Sequence, residues 1–179
     1  FVTAYDATLI LQFVVGIIDE FPGSSAQSPA DVVQHNYSVT IPEITARTGD
    51  RIQVPIAIND TTELNAGGFV VKYDPSVLRA VDFSASSLLN GSYWKANIER
   101  TGEVRLAFAT AEPTPGAGEL IKFDFEVLPN NSGKNSPVVF DRVDILNSLT
   151  VTKTNGSVIV LPEHTALLSN YPNPFNPET

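Results

Sequence analysis

The sequence predicts a mainly β fold, an antiparallel sandwich or barrel, and three observations predict it. Apolar and polar residues alternate with a period of two in several short runs, turn residues stand between the runs, and no strand–helix–strand rhythm appears that would build a parallel nucleotide-binding sheet. A chain of 179 residues, 42% hydrophobic and 17% charged, can bury the core such a fold requires.

The first stretch, residues 1–18, breaks this pattern. Leu9, Ile10, Phe13, Val14 and Ile17 recur at helical spacing, Thr3 and Asp6 form an N-terminal capping pair, and Gly16 falls where a helix commonly reverses into the left-handed conformation. A helix of about three turns is marginal alone. Leaving its large side chains in water would cost roughly 1.5–3 kcal/mol each. It is therefore expected to pack, either on an edge or face of its own sandwich or on a second copy as a dimer contact.

Residues 19–36, with Phe21-Pro22-Gly23-Ser24-Ser25 and Ser28-Pro29, read as a linker that takes in His35. Residues 37–160 carry the strands. Ile52, Val54, Ile56 and Ile58 alternate with Arg51, Gln53, Ala57 and Asn59; Val104, Leu106 and Phe108 with Glu103, Arg105 and Ala107; Ile121, Phe123, Phe125 and Val127 with Lys122, Asp124 and Glu126. Turn signals such as Asp74-Pro75, Asn90-Gly91, Thr101-Gly102 and Asn155-Gly156 separate the runs. Residues 161–179, with Pro172, Pro174 and Pro177 closely spaced, read as an extended tail.

Charge and residue usage exclude several functions. A net charge of −9 with scattered basic residues argues against nucleic acid. Without cysteine there is no disulfide, thiolate nucleophile or Cys-ligated metal. No apolar run reaches the roughly 20 residues needed to span a bilayer. The two histidines, His35 and His164, fall in the linker and the tail. The closest approach to a catalytic set is the carboxylates Glu99 and Glu103, or Asp124 and Glu126, which read more simply as turn and strand-face residues. No enzyme activity is expected. Trp94 and Tyr93 could stack on a sugar ring, but alternation sends them to opposite faces, with Trp94 in the core.

Within the central region, Thr48-Gly49-Asp50-Arg51-Ile52-Gln53-Val54-Pro55-Ile56, Phe69-Val70-Val71-Lys72-Tyr73-Asp74-Pro75-Ser76-Val77-Leu78, Gly118-Glu119-Leu120-Ile121-Lys122-Phe123-Asp124-Phe125 and Phe140-Asp141-Arg142-Val143 occur in the order found in cohesins. The chain resembles that family over about 120 residues. The resemblance implies a jelly-roll β-sandwich of roughly nine strands that binds a dockerin, a small calcium-loaded helical module. It places docking on the outer face of one sheet. With Phe69, Val71 and Tyr73 pointing inward, Gly68, Val70 and Lys72 point out, as do Tyr93, Lys95 and Asn97 on one neighbour and Arg105 and Ala107 on another. Cellulosomal type I members carry Asn and Asp just before this run. Ala66-Gly67-Gly68 stand there in this chain, which implies a more apolar contact.

Residues 1–18 resemble the second half of a dockerin repeat. Phe1, Thr3 and Asp6 would be the remnant of its calcium loop, with too few oxygens to hold the ion strongly. No cofactor is expected, calcium belonging only to an intact upstream dockerin. The tail Asn170-Tyr171-Pro172-Asn173-Pro174-Phe175-Asn176-Pro177-Glu178-Thr179 resembles the start of the sorting domain used by type IX secretion, which implies the outside or cell surface of a bacterium. The expectation is a non-catalytic recognition module that binds a dockerin in an exported surface or polysaccharide-degrading assembly. The alternatives are a carbohydrate-binding sandwich and a structural spacer.

Overall fold

Pro42 and Asn155 divide two continuous stretches of sequence between two sheets. In the computed structural model, which describes Asp6, Ile10, Leu11, Phe13, Gly16, Glu20 and residues 35–112, 114–145 and 148–163, strand β1 (His35–Thr40) lies in one sheet and β2 (Glu43–Ala46) in the other. Proline cannot donate to a ladder, so pairing breaks between them. Near the end of the sandwich, β10 (Ser148–Thr154) and β11 (Gly156–Val160) repeat the switch. β1 runs parallel to β10, and β2 runs parallel to β11. The two crossings meet: a Cβ added to Gly156 would run into Pro42 O and lie 2.7 Å from Ile41 O.

The remaining strands are β3 (Arg51–Ile58), β4 (Ala66–Lys72), β5 (Leu78–Ala85), β6 (Tyr93–Asn97), β7 (Glu103–Ala109), β8 (Gly118–Val127) and β9 (Asn135–Ile145). One sheet has the order β10-β1-β3-β8-β5, and the other β2-β11-β9-β4-β7-β6. Apart from the two parallel pairs, every pairing is antiparallel. Pro55 is tolerated inside β3 because β1 pairs with that strand only at Ala57 and Ile58, leaving one side of Pro55 without a ladder.

The core fills the space between the sheets. From the five-stranded sheet come Val54, Ile56, Ile121, Phe123 and Phe125; from the six-stranded sheet Phe69, Val71, Leu106, Phe108 and Phe140. Each such side chain contributes roughly 1.5–3 kcal/mol on burial. Phe69 stacks with Phe108 at 6.2 Å, and Tyr73 meets Phe125 edge-on at 4.9 Å. Gly67 is the partner of that packing, since a Cβ there would lie 2.7 Å from Phe108 Cζ.

Several expectations change. Among the described residues the strands number eleven rather than the nine the resemblance implies, and two stretches that change sheets, at Pro42 and at Asn155, each contribute two of them. His35 opens β1 instead of lying in a linker. Among the described residues the only delimited helical element is the 3-10 turn Ser87–Leu89, so the expected N-terminal helix is not supported as an element. Asp6, Ile10, Leu11 and Phe13 have helical backbone, and Gly16 turns with φ 76°, its N–H donating to Phe13 O at 3.0 Å. The rest of residues 1–18, including Phe1 and Thr3, lies outside the described residues, as do most of the linker and residues 164–179 with the Asn170–Thr179 motif.

Candidate functional site

Antiparallel register fixes which side chains share a face. Val70 on β4 pairs with Arg105 on β7 and Arg142 on β9, while Asn97 on β6 pairs with Arg105. One row therefore crosses four strands as Asn97, Arg105, Val70 and Arg142. The next row, two residues along, is Lys95, Ala107, Gly68 and Asp144. Directly opposed residues point to the same side of a sheet. Since Phe69, Val71, Leu106 and Phe108 are in the core, both rows face outward. Tyr93, paired with Ala109, and Lys72, paired with Glu103, extend the rows at either end. All eight residues expected to bind a partner thus lie on one outer face.

The centre of this face is small and apolar, and its rim is charged. Gly68, Val70 and Ala107 are buried, the last with no exposure at all, whereas Lys72, Tyr93 and Lys95 are exposed. Arg105 donates to Glu103 Oε1 from Nε at 2.9 Å and from Nη2 at 2.7 Å. Both side chains are largely buried, so this guanidinium is held in place rather than mobile. Lys72 donates to Asp141 at 2.8 Å, and that hydrogen bond holds the Lys72 ammonium above its usual pKa. Arg142 pairs with Asp144. Lys95 has no ion-pair partner among the described residues.

Sequence reasoning missed Asp141, Arg142 and Asp144. The signal was the alternation within Phe140-Asp141-Arg142-Val143, but nothing local says that β9 lies beside β4. The bulge between Val70 and Val71 opposes Asp141 and lets Lys72 reach it.

The other candidates are absorbed by structure. Trp94 packs against the core, edge-on to Phe83 at 5.9 Å, which leaves Tyr93, 72% exposed, as the one aromatic of that pair open to solvent. Glu126 binds Arg79 at 2.6 Å, and Asp124 accepts from Gln53 Nε2 at 2.9 Å. Among the described residues no group of three or more His, Asp and Glu is placed to hold a metal, and no helix is long and apolar enough to cross a membrane.

Comparisons with known proteins agree with this architecture. A family model described as a cohesin domain matches residues 37–160. No curated protein matches. Among solved structures, the sixth cohesin of scaffoldin B from Acetivibrio cellulolyticus, crystallised with a Cel5 dockerin, aligns with a TM-score of 0.63 at 17% identity, covering 70% of this chain and 99% of that one. A non-cellulosomal cohesin from the archaeon Archaeoglobus fulgidus aligns at 0.63 and 21% identity, covering 73% of this chain and 94% of that one. The OlpA cohesin of a Clostridium thermocellum cohesin–dockerin complex aligns at 0.62 and 18% identity, covering 71% and 100%. At these identities the likeness establishes the fold.

Proposed function

The chain belongs to the cohesin family, and from that premise we propose that it is a non-catalytic recognition module that captures a dockerin-type protein on the outer face of its six-stranded sheet. The observation that carries this reading is the pair of cross-strand rows on β6, β7, β4 and β9. An apolar centre of Gly68, Val70 and Ala107 is ringed by Lys72, Lys95, Arg105 and Arg142. Protein interfaces favour such a layout, with a desolvated centre that supplies affinity and a polar rim that sets orientation.

Each part has a distinct task. The small centre lets an apolar helix approach the sheet backbone closely. Arg105, fixed by Glu103, offers a preorganised donor whose ordering cost is already met within the fold. Lys95 and Tyr93 on the edge strand supply contacts that steer the partner. Several solved relatives are complexes of cohesins with dockerins, which supports the partner class. An exported, surface-attached or polysaccharide-degrading setting in a bacterium completes the proposal, resting on the resemblance of Asn170–Thr179 to a secretion sorting motif.

Titration calorimetry of the full chain against a panel of calcium-loaded dockerins, beside a glycan array, tests this reading. Saturable capture of a dockerin is the expected result. Capture of a sugar alone would assign the sandwich to carbohydrate binding, and silence from both would leave it a spacer.

A further inference from the structure

Four buried apolar residues do not belong to the core. Ala66, Val70, Ala107 and Ala109 are 5%, 8%, 0% and 4% exposed, yet all four point away from the sheet–sheet interior and none joins the core cluster. A sheet face in water does not bury its outward residues, so this part of the outer face is covered. The described residues of the N-terminal stretch stand over it. Ile10 and Phe13, helical in backbone and three residues apart, share one side of a turn and border a cleft of about 400 Å³ with Gly67, Gly68 and Val143. The Arg142 guanidinium lies 6.0 Å from the Phe13 ring centroid. Gly16 sits so near β7 that an added Cβ would be 2.9 Å from Arg105 Nη1. These contacts reach from β9 across β4 to β7.

We propose that this chain masks its own docking face: the segment containing Ile10, Phe13 and Gly16 occupies the outer side of β4 in cis and must leave before a partner binds. The proposal rests on the reading of this face as the partner site and adds a competitor to it. Residues 17–34 can span up to about 60 Å when extended, ample for the segment to depart and return. An apolar helical side presented to small residues is the chemistry a helical partner would also bring, so segment and partner exclude each other. If the face is open for one-tenth of the time, the partner binds about tenfold more weakly than its intrinsic affinity allows.

The test uses the full chain and the double variant Ile10→Asp/Phe13→Asp. Amide exchange at Val70 and Ala107 reads masking without any partner, and it should quicken in the variant while inner-strand protection is kept. A synthetic peptide of residues 1–20 added in excess should restore that protection in the variant and leave the parent chain unaffected. A dockerin that binds the parent should bind the variant about tenfold or more tightly. Unchanged exchange with no response to the peptide would overturn masking, whatever the dockerins do. Peptide rescue without any dockerin binding would keep masking and sink the partner assignment instead. Protection that vanishes on dilution, with light scattering showing a dimer, would replace the cis contact with one between copies and overturn the proposal.

Discussion

The outer faces of the two sheets were built by different rules. On the five-stranded sheet, Arg51, Glu126 and Arg79 align across β3, β8 and β5, and beside them Gln53 aligns with Asp124. Their side chains pair with one another, Arg79 with Glu126 and Gln53 with Asp124, in open contact with water. Alternation is accordingly clear along β3 from Gln53 on and along β8 from Ile121 on, where every second position is buried; only at the bulge beside Ala57 are two consecutive residues, Leu120 and Ile121, both buried. On the six-stranded sheet, β4 is buried at six consecutive positions, and β7 loses its alternation over Leu106–Ala109. The difference teaches where the molecule meets something other than water. A solvated face carries long polar side chains, whereas a contact face carries small apolar ones.

The strongest way to break this contrast is to attack the inner side of the same strands. Phe108→Ala removes a core ring and should cost about 3–5 kcal/mol in urea denaturation, so the loss should be global rather than confined to the outer face of the six-stranded sheet. A smaller effect comes from the corner joining the sheets. Gly156→Ala forces a methyl group toward Ile41 O and Pro42 O and should cost about 1–3 kcal/mol. A thermal midpoint equal to that of the parent would show that the two crossings do not meet as described. Smaller still, Arg79→Ala on the solvated face removes an ion pair whose arginine is 62% exposed, and it should change stability by less than about 1 kcal/mol. A larger loss would mean that this face, too, is more than solvated surface.

The smallest effect is a pH dependence at the turn after β4. Asp74 accepts from Ser76 Oγ at 2.7 Å and from Ser76 N at 2.8 Å, and these bonds hold its carboxyl below the ordinary value of 3.8. Its contribution is complete above that value and disappears as pH falls through the depressed pKa. Acid titration of thermal stability should therefore show a shallower decline below pH 3.8 in Asp74→Ala than in the parent chain.

What the sequence made legible follows from the same contrast. Whereas β7 alternates in burial only over its first four residues, Glu103–Leu106, β3 and β8 could be read because water on one side enforces a period of two over most of their length. Trp94 could be assigned inward and Tyr93 outward for that reason. In β4 the pattern Ala66-Gly67-Gly68-Phe69-Val70-Val71 has no period, and the outward positions were reached only by counting from Phe69. Asp141, Arg142 and Asp144 stayed hidden because strand adjacency is a long-range property: Val70 pairs with a residue far along the chain. The count of nine strands came from the family resemblance; the sequence offered no correction to it, because Pro42 and Asn155 look like ordinary turn residues and no local pattern says that the chain changes sheets there. His35 and Asn36, both polar, gave β1 no apolar signal at its start.

The central claim is that the outer face of β4, β7 and β9, and not that of β3 and β8, receives the partner. Calorimetric titration of one captured dockerin against the parent chain, Val70→Asp and Asp124→Ala tests it most directly. Val70 lies between Arg105 and Arg142 at the centre of the proposed contact face, and Asp124 lies on the solvated one. The account predicts that Val70→Asp weakens binding by at least about thirtyfold, near the 2 kcal/mol of an interface hot spot, while retaining the folded far-ultraviolet spectrum. Asp124→Ala should bind as the parent does. Parent-like binding by Val70→Asp, or loss of binding in Asp124→Ala alone, would contradict it.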